Sequence, residues 1–445
     1  MHIAGRAVLA LLLTALAAPL AAQDIGGPDL FRARRARFAA AMPQGSIAIV
    51  MSARKNQDFI YEGFVSHADN HDFIYLTGLQ GARSNDSALV LSPGADEFKE
   101  ILYTSQDVAR IKKETGIAHV HPYAKFIEDL SESLTDFSLI RGHQRGAKPI
   151  STDISRSLGK NKFVYFNYPR FVNLSSSPPP RLEVPRQLQY FSPEVQLKDA
   201  SDILDRLRMI HDETEITLLR KASEIAVKGL VESIKIIRPG VTTREIAAKV
   251  DFTFAAEGAA PSFSSNVGNW ALGSGYAGDQ QLKTGDLISY DIGAEIGHQT
   301  SDFGRTVPVG GVFSPAQKKV YETIVGIQKQ LIASVKPGGN FTALQQLKDR
   351  LVAEAGLGDK TVKYGISHFV GMEIHDVGDY EIPWETNMCF VIEWRIELDG
   401  SLMRFEDVIL VTRDGHEWLT RMAPITPEDY ARIMVKPSSS SAPQP

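Results

Sequence analysis

The chain has 445 residues, 43% of them apolar, which is enough material to bury two domains. Its formal net charge is only −5, with no notable basic patch, and this argues against nucleic acid as a partner. The one cysteine, Cys389, excludes an internal disulfide and any all-thiolate zinc site, and its apolar surroundings favour a buried inert thiol over a nucleophile.

At the N-terminus, Met-His-Ile-Ala-Gly-Arg precedes an apolar stretch from Ala7 to Ala22 that ends in small residues before Gln23-Asp24. Residues 1–23 read as a secretory signal peptide, with an uncleaved anchor as the alternative. The protein is therefore expected to be exported, periplasmic or secreted, without membrane contact once the signal is removed. Arg32, Arg34, Arg35 and Arg37 then begin the first soluble helix. A smaller mixed α/β domain is expected over residues 24–200. Within it Ser46 to Met51 and Ala88 to Leu91 read as buried strands, and the proline-rich run Ser175 to Pro185 reads as a surface loop.

Residues 201–435 carry an internal repeat. Leu219, Ala222, Ala226, Leu230, Ile234 and Ile237 form a stripe of helical period, followed by Arg238-Pro239-Gly240 and a second helical stretch ending at Gly258. The pattern returns with Val320, Ile324, Ile327, Leu331 and Val335, then Lys336-Pro337-Gly338, then a helix running to Gly356. Pro239, Gly240 and Gly258 match Pro337, Gly338 and Gly356 at a constant offset of 98. Ser314-Pro315 reads as an N-cap with proline at the first helical position, so the break between units falls near residues 307–314. Two pseudo-symmetric helix-helix-hairpin units are thus expected, with helices covering the outer face of their shared sheet. The tail, residues 436–445, is expected to be disordered.

Each unit ends in a hairpin with two acids. Asp291 lies in the apolar run Leu287 to Ile292, and a two-residue loop at Ile296-Gly297 places it directly opposite Asp302. Glu393 and Glu406 become cross-strand partners through a turn at Asp399-Gly400, the strongest short hairpin signal. Opposed side chains sit with Cβ atoms about 5 Å apart, where like charges repel. Either pair alone reads equally well as ordinary exposed strand carboxylates. Two such pairs in apolar surroundings, with a histidine at 368, point to divalent cations.

Oxygen donors and one imidazole suit Mn²⁺, Co²⁺ or Zn²⁺. Four carboxylates carry too much charge for one ion with an open position, whereas two ions roughly 3.5–4 Å apart balance them. Such a pair acidifies a bridging water and polarises a carbonyl, which is amide or ester hydrolysis. Arg404 alternates with Glu406 and so shares its strand face, where it can orient Glu406 or a substrate.

The residues around these acids are Tyr-Asp-Ile-Gly at 290–293, Ser-Asp-Phe-Gly-Arg-Thr at 301–306, Ser-His-Phe-Val-Gly-Met-Glu-Ile-His-Asp-Val-Gly at 367–378 and Arg-Phe-Glu-Asp at 404–407. Together they resemble the aminopeptidase P and prolidase branch of the pita-bread metallopeptidases. Upstream, Asn70-His71-Asp72-Phe73-Ile74-Tyr75-Leu76-Thr77-Gly78 resembles the aminopeptidase P N-terminal domain, so the likeness spans roughly residues 31–430. It implies a C-terminal pita-bread fold, two metal ions (Mn²⁺, with Co²⁺ or Zn²⁺ as alternatives) and a homo-oligomer. Asp291 would bind one ion, His368 and Glu393 the other, and Asp302 and Glu406 would bridge them. His375, seven residues after His368, would hold the scissile carbonyl and its tetrahedral intermediate, and Glu393 would also shuttle a proton to the leaving amine.

The implied activity is an Xaa-Pro aminopeptidase, in which a metal-bridging hydroxide attacks the bond before a proline at the second position of a peptide. An Xaa-Pro dipeptidase is the alternative. Two others, a catalytically impaired metal-binding module and an altered-specificity amidase or esterase, are motivated by three departures. Ser274 and Tyr364 stand where the family has histidines, and Trp394-Arg395 replaces the Pro-Gly after the metal-binding glutamate. Tyr276 or Tyr364 is then expected to supply a replacement hydrogen-bond donor.

Overall fold

The computed structural model describes residues 26–434 apart from 53–59, 63–64, 68–69, 95–99, 135–162, 171–177, 179, 194, 269–279, 363–364 and 399. The signal stretch, the tail, Ser274, Tyr276 and Tyr364 lie outside the described residues. Among the described residues no helix is long and apolar enough to cross a membrane.

The helix Pro28–Ala41 opens the described chain. Two of its arginines are buried rather than solvated. Arg34 pairs with Asp212 at 2.7 Å, and Arg35 donates to the Leu76 and Thr115 carbonyls at 3.0 and 3.2 Å. Behind it lies a six-stranded mixed sheet. Its centre is Ser46–Met51, antiparallel to Ser87–Leu91 and parallel to Phe163–Phe166. Both strands read from sequence are present, and both are buried end to end. The sheet closes at Gln196–Asp199. The proline-rich run departs from the loop expectation at its C-terminal end: Pro180–Leu182 forms a 3₁₀ turn and Glu183–Phe191 a helix. Pro185 falls in that helix's first turn, where a missing N–H costs no hydrogen bond, so the run can start a helix as readily as end one.

The helix Ser201–Arg208 leads into the second sheet's units. Helices Glu213–Ile234 and Thr243–Ala256 belong to the first unit, and Pro315–Ala333 and Phe341–Glu354 to the second. The repeat extends to backbone conformation. Gly240 and Gly338 have φ of +88° and +83°, and Gly258 and Gly356 have +78° and +70°, values open to glycine without steric cost. Even the anchoring bonds correspond, since the Gly240 N–H donates to Leu282 O and that of Gly338 to Trp384 O, both at 2.9 Å. Ser314 caps Pro315–Ala333 in a capping box with Gln317, which sets the unit boundary.

The second sheet is antiparallel, in the order Asn266–Gly268, Leu287–Ile292, Phe303–Pro308, Ser401–Thr412, Cys389–Leu398. Alternation divides its two faces. Ile288, Tyr290, Ile292, Phe303, Ile392, Trp394, Ile396 and Phe405 pack into one core with the four helices. The intervening residues, among them Asp291, Glu393, Arg404 and Glu406, point the other way.

The first hairpin departs from its expected register. Its tight pair is Ile296↔Gln299, so the turn is Gly297-His298 and not Ile296-Gly297. Both turn residues have positive φ, +59° and +57°, as the twist-matched type I′ turn requires. Asp291 therefore faces Gly304, and Asp302 is not its direct partner. A shift of two residues preserves side-chain parity, which is why the carboxylates still share a face.

Candidate metal centre

One lateral row across the sheet builds most of the site. Asn266 pairs with Asp291, Asp291 with Gly304, Gly304 with Glu406, and Glu406 with Glu393. The last pairing is the one the Gly400 turn predicts, with Leu398↔Ser401 closing the hairpin. Glycine at 304 is a spatial necessity: a Cβ there would lie 2.8 Å from Arg404 Nε and 3.1 Å from Glu406 Cβ. Its absence gives the Arg404 guanidinium room between the acids. Asp302 enters from the bend just before Phe303–Pro308, and His368 joins along the far edge, its carbonyl accepting from Val391 N–H at 3.0 Å.

The centre is almost fully buried. Asp302, His368, Glu393, Arg404 and Glu406 are all buried and Asp291 is partly so. Arg404 bonds to Asp291 and Glu406 and reaches Glu393 Oε2 at 3.2 Å. It takes one oxygen from each of those three acids. His368 Nε2 lies 3.5 Å from Asp302 Oδ2, 3.7 Å from Glu406 Oε1 and 3.8 Å from Glu393 Oε1, too far for good hydrogen bonds.

Burial and mutual repulsion push the Asp302 and Glu393 carboxyls up from their ordinary range, and burial does the same to Asp291. Burial would raise Glu406 too, but Arg404 and His368 outweigh it and hold that group at about 2. One guanidinium does not neutralise four acids.

Whether the residues fit a metal pair turns on the atoms left over. Asp302 Oδ1, Glu406 Oε1 and His368 Nε2 are buried and have no hydrogen-bond partner. His368 Nδ1–H donates to the Phe369 carbonyl at 3.1 Å, which leaves Nε2 as the nitrogen that would ligate a cation on losing its proton. The donor atoms of His368, Glu393 and Glu406 lie within 4.8 Å of one another, as do those of Asp291, Asp302 and Glu406. Two overlapping donor sets sharing Glu406 suit two cations. The site thus fits the dinuclear metal that the resemblance implies.

His375 is exposed, its ring centroid 4.1 Å from that of His368. Partial burial and the neighbouring His368 depress its pKa to about 4, so at neutral pH it is an uncharged donor. Asp302 with His368 and His375 forms a third close donor set.

Trp394, one of the departures that motivate an altered specificity, does not face the site. Strand alternation turns it to the helix side, where its Nε1–H donates to Gln328 Oε1 at 2.8 Å. Arg395 is the group that faces the site, its Nη2 3.3 Å from Glu393 Oε2. The signal was available, because Arg395 is two residues beyond Glu393. Behind the centre, Arg305 pairs with Asp407 at 2.6 Å and donates to the Gly304 and Glu406 carbonyls, which holds the two central strands in register. Cys389 is buried and its thiol pKa is raised, as an inert core residue requires.

The profile of Metallopeptidase family M24 matches residues 217–413, and that of the Aminopeptidase P N-terminal domain matches residues 31–137. Xaa-Pro dipeptidases of Pyrococcus horikoshii and Pyrococcus furiosus are 34% and 33% identical over 235 and 237 residues, 51% of this chain in each case. These matches span about two thirds of the archaeal proteins, 66% and 67% of their lengths. The mitochondrial Intermediate cleaving peptidase 55 of Arabidopsis thaliana is 25% identical over 433 residues, 88% of this chain and 80% of that one. Among solved structures, a Bacillus anthracis chain provisionally described as aminopeptidase P superposes with a TM-score of 0.78 at 23% identity, covering 92% of this chain and 98% of its own. Carboxylate row, paired units and N-terminal domain agree with these likenesses, and the chain belongs to metallopeptidase family M24, in its aminopeptidase P and prolidase branch.

Proposed function

We propose that the protein is an exported Xaa-Pro aminopeptidase, which removes the residue preceding a proline at the second position of a peptide. The observation that carries this reading is the convergence of three buried donor atoms without protein partners, Asp302 Oδ1, Glu406 Oε1 and His368 Nε2, on one acidic centre. The match to the aminopeptidase P N-terminal domain favours an aminopeptidase over a dipeptidase. Asp291 would hold one ion, His368 and Glu393 the other, with Asp302 and Glu406 shared; Mn²⁺ is the proposed metal. When bound, such ions acidify a water and polarise the scissile carbonyl. Neutral His375 donates a hydrogen bond to the carbonyl oxygen and gains strength as charge develops there. Glu393 takes the proton from the attacking water and gives it to the leaving amine. Arg404 holds Asp291, Glu393 and Glu406 in place through its three contacts.

The test is hydrolysis by purified protein loaded with Mn²⁺. Xaa-Pro-Xaa tripeptides are expected to be cut, and an Asp302→Ala control is expected to be inert. No turnover in either protein would sink the reading. Cleavage confined to Xaa-Pro dipeptides would establish the second reading, a prolidase, which the archaeal relatives favour. Export and self-association belong to the same proposal and are checked by cell fractionation and light scattering.

A further inference from the structure

Between His368 and His375 the chain makes a tight turn that is fastened to both domains. Met372 is buried in the hydrophobic core formed by Phe38, Phe73, Ile74 and Leu76. The next residue, Glu373, accepts from His71 Nδ1–H at 2.8 Å and from Arg208 Nη2 at 3.0 Å. Asp376, immediately after His375, accepts from Arg208 at 2.6 Å, and its two oxygens also take the Met372 and Val377 N–H groups, each at 2.8 Å. Gly371 leaves the space that the Asp376 carboxylate fills, and its carbonyl is held by Thr300.

Arg208 is in turn oriented from the other domain. Its Nη1 donates to Asp72 Oδ1 at 2.8 Å, and Arg170 grips Asp72 at 2.9 and 3.0 Å. Asp72 and His71 stand in the first turn of the helix His71–Thr77, capped by Asn70. Asp72, His71, Arg208, Glu373 and Asp376 are all buried. A planar guanidinium bonded to three carboxylates through both Nη atoms is held in a narrow range of orientations, so the register of the helix is transmitted to the turn.

We propose that the N-terminal domain sets the position of His375, with Asp72, His71 and Arg208 as positioning residues acting through Glu373, Asp376 and Met372. The domain is thus a working part of the catalytic centre. His375 is tethered one residue before Asp376 and two after Glu373, so loosening either contact moves its imidazole relative to the carbonyl it must meet. A displacement of about 1 Å in such a group can cost on the order of a hundredfold in rate.

The inference rests on the peptidase reading of His375, and the experiment separates the two. Asp72→Asn, Arg170→Met and Met372→Ala are made alone and combined with His375→Ala, and kcat and KM are measured on an Xaa-Pro-Xaa peptide at equal metal content. Residues that act through His375 should lower kcat by about ten- to a hundredfold alone, and by less than twofold more when His375 is already alanine. Multiplicative losses in the double variants would overturn the proposal. If His375→Ala leaves the rate unchanged, the catalytic reading of that histidine fails instead. A readout independent of turnover is amide exchange at Met372 and Val377. It should quicken at least tenfold in Asp72→Asn, with the amides of Glu393 and Glu406 unaffected. Unchanged protection at Met372 and Val377 would refute the tether whatever the kinetics. Arg170, partly exposed, serves where Asp72→Asn does not fold.

Discussion

Two buried ionic clusters lie on either side of the turn that carries His375, and they are resolved in opposite ways. At the domain boundary Asp72, Asp205, Glu373 and Asp376 meet Arg170, Arg208 and His71, and ion pairs join them within the protein. In the sheet Asp291, Asp302, Glu393 and Glu406 meet one inserted guanidinium, with Arg395 only at the rim, and three donor atoms stay without a hydrogen bond. Burying charge is tolerable only when it is paired, so the first cluster is closed and the second awaits cations from solution. Acid count does not tell a structural cluster from a metal centre. The balance of cationic side chains against those acids does.

The largest expected effect is loss of the centre itself. Glu406→Ala or Asp302→Ala should reduce Xaa-Pro turnover by roughly a thousandfold or more and lower bound metal, measured by peptide hydrolysis and elemental analysis, because each belongs to a donor set. Retained metal and activity would remove the distinction between the clusters. His375→Ala should be milder: about a hundredfold loss in kcat with both ions retained, the usual scale for one donor to a developing oxyanion.

Asp72 and Asp302, one acid from each cluster, should also respond oppositely to pH, which thermal melts of metal-stripped protein can follow. Asp72 is held at about 2, against an ordinary 3.8, because Arg170 and Arg208 outweigh its burial. A depressed acid stabilises the fold above its unfolded pKa and loses that contribution as pH falls. Asp72 therefore contributes stability on the order of 2 kcal/mol that is lost between roughly pH 4 and pH 2. Asp302 has a raised pKa, so its sign is reversed: stability is greatest below the ordinary carboxyl range and declines as pH rises through the folded value. Saturating metal should abolish that second slope and stabilise the fold by about 4 kcal/mol at a thousandfold excess over Kd, seen as a higher melting point. A stripped protein whose stability is flat from pH 4 to 8 would contradict the reversed sign.

The smallest effect tests the sheet's two faces. Trp394→Phe should cost about 1 kcal/mol in a urea melt through loss of the Gln328 bond and leave kcat/KM unchanged, because the indole points into the helix layer. A marked kinetic change would return Trp394 to the pocket.

Much of this site was legible because its signals are local. Tight-turn chemistry at Gly400 pairs Glu393 with Glu406, and period-2 alternation places Arg404 with them. The first hairpin shows the limit of that reasoning. Gly297 was recognised as a turn residue, but a glycine can take either central position of the turn. Its partner is His298, which adopts φ of +57° and reaches Gln80 of the other domain. Local preference alone does not select a non-glycine residue for that conformation.

What the sequence by itself determined is the repeat, the identity of the acids and the face on which they lie, since all three follow from periodicities of 2 and 3.6 residues and from turn glycines. Tertiary structure alone decided which atoms of those acids stay unmatched, and that Asp72 and Arg208 reach the turn beside His375. These outcomes depend on contacts between residues more than a hundred positions apart, such as Asp72 with Arg208 and Arg404 with Asp291, and a local pattern carries no trace of such encounters. Only folding places a guanidinium against one carboxylate oxygen and leaves the other for a metal.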